Sequence, residues 1–178
     1  MNTGEYIALV EGSTNLLPRL GSQAEKLLRN AETVAEHLSP IVDQFMTSLS
    51  VEKIPDLMKE AVSEGCRILV YYGFFTHCLL FDSPNRMKYS RIDLDALFKE
   101  WIAKSLTANS MLNSYDKDNE GYPSAIFDAF YKNRFEPMQS ELTIGWWKRL
   151  KNKNRFKNFF ASGVLLGMLC DMETKKVG

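Results

Sequence analysis

The stretch Ile68–Phe81 constrains the fold most. Of its fourteen residues only Gly73, Thr76 and His77 are not plainly apolar or aromatic. A membrane-spanning helix needs ~20 apolar residues, and here Arg67 and Asp82 bound the run on either side. A strand is rarely this long. What remains is a helix apolar all round, which amphipathic neighbours must sheathe. We therefore expect a central helix at about 66–81 with Arg67 at its mouth.

The chain supplies the neighbours. Ala24, Leu27, Leu28, Ala31, Val34, Ala35, Leu38, Ile41, Val42, Phe45, Met46 and Leu49 recur at steps of three and one. That is one helical stripe with charges opposite it. Ser39-Pro40 predicts a break or kink within it. Ser50 and Pro55 open a further helix with Ile54, Leu57, Met58, Ala61 and Val62 inward, and Glu64-Gly65 is expected to end it. Ser90-Arg91-Ile92-Asp93 reads as a capping box, followed by a stripe of Leu94, Leu97, Phe98, Trp101, Ile102 and Leu106. Ser124 is placed to cap a short helix bearing Ile126, Phe127, Phe130 and Tyr131, which Pro137 closes. Two more helices are expected at about 139–150 and 155–172. No segment alternates in the manner of a half-buried strand. The expectation is one all-α domain over 1–178, with roughly eight helices.

Several function classes find no footing. Twenty-two basic residues balance twenty-two acidic ones, so no global charge steers the chain toward nucleic acid. Cys66, Cys78 and Cys170 form no CxxC pair and read as reduced, buried thiols of an intracellular protein. The N-terminal segment is acidic and too poor in apolar residues for a signal peptide. No serine–histidine–acid order, phosphate loop or HExxH occurs, so we expect no enzyme, and neither cofactor nor metal. Asp116–Gly121 imitates the start of a calcium loop, but Phe127 stands at the twelfth position and Pro123 at the eighth. An ordinary acidic turn is expected there. His77 reads as a satisfied core histidine; its other reading is the axial ligand of a helical haem or small-ligand sensor.

The order of motifs resembles the Bcl-2 family of apoptosis regulators. Glu64-Gly65-Cys66-Arg67 followed by Ile68-Leu69-Val70-Tyr71-Tyr72-Gly73-Phe74-Phe75 is similar to that family's first homology motif. Tyr115 to Tyr122, followed by Ala125-Ile126-Phe127, is similar to its second, about fifty residues on. Leu28-Arg29-Asn30-Ala31-Glu32 lies where the third (BH3) motif would, and the closing run from Arg155 to Cys170 resembles the last helix. The first motif's Asn, Trp and Gly are absent, Tyr replaces both tryptophans of the second, and Cys66 stands where the family has the glycine that lets a ligand helix approach. The pattern is that of a distant or viral-type member.

The resemblance implies a Bcl-2-like helical bundle whose hydrophobic groove sequesters BH3 helices of pro-apoptotic proteins. Val34, Leu38, Val42, Phe45 and Met46 would form one wall; Ile54, Met58, Leu69, Val70 and Phe74 would form the floor and far side, with Cys66 close by. Arg67 would pair with the partner's aspartate, to which its fork geometry is suited. It implies an anti-apoptotic role, with a membrane-perforating pro-apoptotic member of the same fold as the alternative. It also leaves open a homodimer. The expected location is the cytoplasm and the mitochondrial outer membrane or another intracellular membrane. From Lys148 to Lys157 six residues are basic and none acidic, after Trp146 and Trp147. That order suits an anionic membrane surface. The apolar run Phe159–Cys170 would span only ~18 Å as a helix, short of a ~30 Å hydrocarbon core. Its other reading is a final packed helix.

Overall fold

The computed structural model describes residues 3–14, 23–48, 56–85, 87–88, 90, 92–137 and 146–177. Among them are seven α-helices: α1 (Thr3–Thr14), α2 (Ala24–Ser48), α3 (Asp56–Phe81), α4 (Leu94–Ser105), α5 (Ala108–Asp118), α6 (Tyr122–Phe130) and α7 (Trp146–Val177). A 3-10 turn, Ser83–Asn85, follows α3, and a π turn, Tyr131–Phe135, follows α6. No strand occurs among the described residues. The all-α expectation holds.

Two long helices, α3 and α7, form the centre, and the others wrap them. Residues 72–79 of α3 and 160–167 of α7 are buried without a gap, as helices apolar on every side must be. They cross almost backbone to backbone. A Cβ on Gly73 would lie 2.0 Å from the Phe160 carbonyl oxygen, and one on Gly163 would lie 1.9 Å from that of Val70. On the next turn of α7, a Cβ on Gly167 would strike the His77 ring at 2.7 Å. Only glycine admits this approach.

Several expected boundaries move. The helix meant to stop at Glu64-Gly65 and the central helix meant to start there are one element, α3. Gly65 is no helix stop. The Phe135 ring fills its side-chain space, with Cζ 2.6 Å from where a Cβ would stand. Nor does Ser39-Pro40 break α2, which runs through it. Pro40 is exposed, while Leu38, Ile41, Val42 and Phe45 stay buried on one face across it. A helix-interior proline costs ~3 kcal/mol; burying the large apolar side chains C-terminal to it gives roughly 1.5–3 kcal/mol each. The larger sum keeps the helix whole.

The cap of α4 also shifts. Asp93, rather than Ser90, is the N-cap, its Oδ1 accepting from the N–H groups of Asp95 and Ala96, both at 3.1 Å. Leu97 and Trp101 are buried as expected, but Leu106 lies past the helix end and is 86% exposed. α6 is capped by Gly121 in the left-handed conformation (φ 75°), which glycine adopts freely. Ser124 lies inside its first turn, where its N–H and hydroxyl both donate to the Asp116 carboxylate. Asp116 is thus engaged in fastening α5 to α6.

The expected helix at about 139–150 falls largely on residues 139–145, outside the described set; its last residues, from Trp146, run on without a break into the helix expected at 155–172, as the single element α7. Its apolar part packs in the core: Phe156, Phe160, Ala161, Val164, Leu165, Leu166, Leu169 and Cys170 are buried. Among the described residues no helix is long and apolar enough to cross a membrane. The N-terminal helix α1 has no counterpart in the sequence reading. Tyr6 and Val10 are fully buried, and the Tyr6 hydroxyl bonds to Thr76 Oγ1 at 2.6 Å. The Tyr6 ring stands edge-on to Tyr72 and Phe75 at 5.1 and 5.6 Å.

Candidate functional site: the seam between α2 and α3

Arg67 projects from the eleventh position after the first residue of α3, not from its mouth. The helix dipole, which acts within the terminal turns, therefore bears little on it. Its Nη1 donates to Asp43 Oδ1 of α2, and its Nε lies 3.8 Å from Glu64 Oε2, one turn back on α3. The Arg67 side chain is 38% exposed. Met46 of α2 and Ile68 and Tyr71 of α3 are half-buried and pack against the core. Burial pushes the Tyr71 hydroxyl up to about 12, Asp43 adding to the rise, Arg67 opposing it and Glu64 adding again. Its oxygen thus feels all three charges. The result is a charged seam with apolar shoulders.

The expected groove residues lie behind this seam. Val34, Leu38, Val42, Phe45, Cys66, Leu69, Val70 and Phe74 are all buried, and only Met46 retains some exposure. Ile54 lies outside the described residues, as do the side chains of Leu57, Met58 and Ala61. What covers the wall is identifiable at one point. Phe45 stacks face to face on Trp101 of α4, centroids 4.0 Å apart and 12° from parallel. Trp101 is anchored in turn by its Nε1–H, which donates to the Ser162 carbonyl of α7 at 2.8 Å. Burial pushes the Cys66 thiol up to about 12. The bare backbone of Gly65 beside it receives Phe135 of the same chain.

A second polar cluster sits at the far end of α3. The His77 Nε2 lies 2.6 Å from Asp171 Oδ2, and Nδ1 lies 2.8 Å from the Tyr115 hydroxyl. A neutral ring protonated on Nε2 satisfies both: it donates to the carboxylate and accepts from the phenol. Ser83 Oγ also donates to Asp171 Oδ2, at 2.8 Å. Burial holds the Tyr115 phenol far above its ordinary range. Phe81 stacks on the imidazole at 4.9 Å. Haem ligation would require His77 to surrender one of these bonds. The cluster opens onto a pocket of about 230 Å³ lined by Phe81, Asp171, Thr174 and Lys175.

The basic run lies on the N-terminal turns of α7. The side chains of residues 146–152, both tryptophans included, are outside the described set. Lys153 pairs with Asp128 at 3.1 Å and lies over the Tyr131 ring. Sequence reasoning singled out Arg67 but not the carboxylates beside it. Asp43 stands at the polar edge of the α2 stripe, and its pairing spans 24 residues, beyond any helical period. Compared with known proteins, the chain matches no family model, no curated protein and no solved structure. The likeness to Bcl-2 proteins rests on the order and spacing of the sequence motifs.

Proposed function

We propose that the protein is a helix-binding apoptosis regulator of the Bcl-2 type, which sequesters BH3 helices of pro-apoptotic proteins at the α2–α3 seam. One observation carries the reading. Arg67 is a partly exposed guanidinium, flanked by half-buried apolar side chains and already held by a carboxylate of a neighbouring helix. A partner's aspartate would make the same bond that Asp43 makes. The apolar anchors of such a helix would need Val34, Leu38, Val42, Phe45, Leu69, Val70 and Phe74, all of them covered. Binding is then coupled to opening, with Trp101 leaving Phe45. The apparent dissociation constant is the intrinsic one divided by the open fraction.

Calorimetry against a broad panel of BH3 peptides tests this. At least one should bind with a dissociation constant below about 10 μM, near −7 kcal/mol, with a negative heat-capacity change. Arg67→Ala should weaken that binding about tenfold or more, as loss of a charge-assisted bond covered by the partner predicts. Its melting temperature should stay within a few degrees, because an exposed ion pair contributes little to stability. Silence from the whole panel would overturn the reading. So would equal affinity for Arg67→Ala and the parent protein.

A further inference from the structure

We propose that the seam selects a partner helix carrying a base one turn from its acid, with Asp43 as the internal competitor which that acid displaces. The inference rests on Arg67 being the docking cation and adds the charge pattern its partner must have.

The charges at the seam do not balance. Arg67 supplies one positive charge against two negative ones, Asp43 Oδ1 at its Nη1 and Glu64 Oε2 at 3.8 Å from its Nε. Among the described residues no other cation pairs with Asp43 or Glu64. Tyr71 stands among the same charges: burial chiefly raises its pKa, Asp43 adds to the rise, Arg67 opposes it and Glu64 adds again. An incoming helix with a lone acid would set three carboxylates around one guanidinium, two of them left without a counter-charge. The acid must share the guanidinium with Asp43 or displace it, so docking brings little net gain and adds repulsion.

A base one turn away on the incoming helix changes this. Side chains three or four residues apart on a helix stand about 5–6 Å from each other at Cβ. Glu64 and Arg67 are themselves such a pair. An acid and a base at that spacing present complementary charges, the acid to Arg67 and the base to the released Asp43. Ion pairs are then exchanged, and the surplus negative charge at the seam does not grow. All three side chains are 38% to 64% exposed, so the preference is moderate and salt-sensitive. The chain's net charge is zero, so overall attraction does not mimic the local effect.

The experiment uses the full chain and one amphipathic BH3 peptide that binds it, remade in three forms with identical apolar anchors. One carries the acid alone. Two carry the acid and one lysine, placed four residues away on the same face or two residues away, off it. Titration calorimetry should show the same-face lysine peptide binding three- to tenfold tighter than the acid-only one, with no gain from the off-face lysine. Asp43→Asn should bring the acid-only peptide to within twofold of the same-face peptide, and 0.5 M salt should narrow the gap too. Glu64→Gln, at an exposed site, should narrow it in the same direction should Asp43→Asn fail to fold. Equal binding of all three peptides, with Arg67→Ala still weakening each, would overturn the charge-pattern inference and leave the docking reading standing. Loss of any Arg67→Ala effect would overturn the docking reading itself.

Discussion

Gly163→Ala is the sharpest test of the central helix pair. The added methyl would stand 1.9 Å from the Val70 carbonyl oxygen and 2.7 Å from its carbon. Both are backbone atoms of a buried helix, so no side chain can rotate away. α3 and α7 must part by more than an ångström. A radial gap of 0.5–1 Å already forfeits a quarter to a half of each dispersion contact across it, and the contacts at risk include Val70, Phe74, Phe160 and Val164, all buried. Overpacking of this kind costs ~1–3 kcal/mol and occasionally more. Alanine's better helix propensity returns up to ~1 kcal/mol. The geometry lies at the severe end, so we expect a net loss of about 2 kcal/mol. For a chain of this size that lowers the melting temperature by roughly 4–8 °C.

The control is internal to the protein. Gly12 lies in α1 with nothing within 4 Å of a built Cβ. There the same substitution should be neutral or raise stability by up to ~1 kcal/mol, the propensity difference. Gly73→Ala should resemble Gly163→Ala, and the double variant should lose less than the sum, since one separation of the helices relieves both clashes. Thermal and urea unfolding followed by circular dichroism would measure all four. If Gly163→Ala melts at or above the parent temperature while Gly12→Ala behaves as stated, α3 and α7 do not approach as described, and the core would have to be redrawn.

Two further outcomes are expected. Asp93→Ala removes the cap that accepts from Asp95 and Ala96 and should cost about 1 kcal/mol in urea unfolding, whereas Ser90→Ala should change little; the reverse ranking would restore Ser90 as the cap. The second concerns alkaline pH. Burial raises the Cys66 thiol from 9.0 to about 12, so between these values the unfolded chain loses its proton and the folded chain keeps it. Fewer protons bound in the unfolded state means that stability falls as pH rises, by ~1.4 kcal/mol per unit for one such group. Its contribution is fully present below pH 9 and gone near pH 12, and Cys66→Ala should make the decline measurably shallower over that window; an unchanged slope would count against burial of the thiol.

Much of the bundle was legible because helices write their burial at short range. The α2 stripe from Ala24 to Phe45 is read from steps of three and four, and every member of it is buried. The same periodicity could not tell a groove wall from a core face. Val34, Leu38 and Phe45 look alike in either setting until Trp101, on another helix, is known to stack on Phe45. Boundaries failed where a residue type has two uses. Glu64-Gly65 suggests a stop, yet Gly65 is there to receive Phe135, 70 positions further on. Pro40 suggests a break, yet burial on both sides of it outweighs the lost hydrogen bond. The glycines did carry a usable signal. Gly163 and Gly167 lie four apart in an otherwise bulky apolar run, and Gly73 lies in the middle of the other such run. Helix-interior glycine costs ~1 kcal/mol against alanine. Three of them in the two most apolar segments make sense only if those segments touch, which is how α3 and α7 meet.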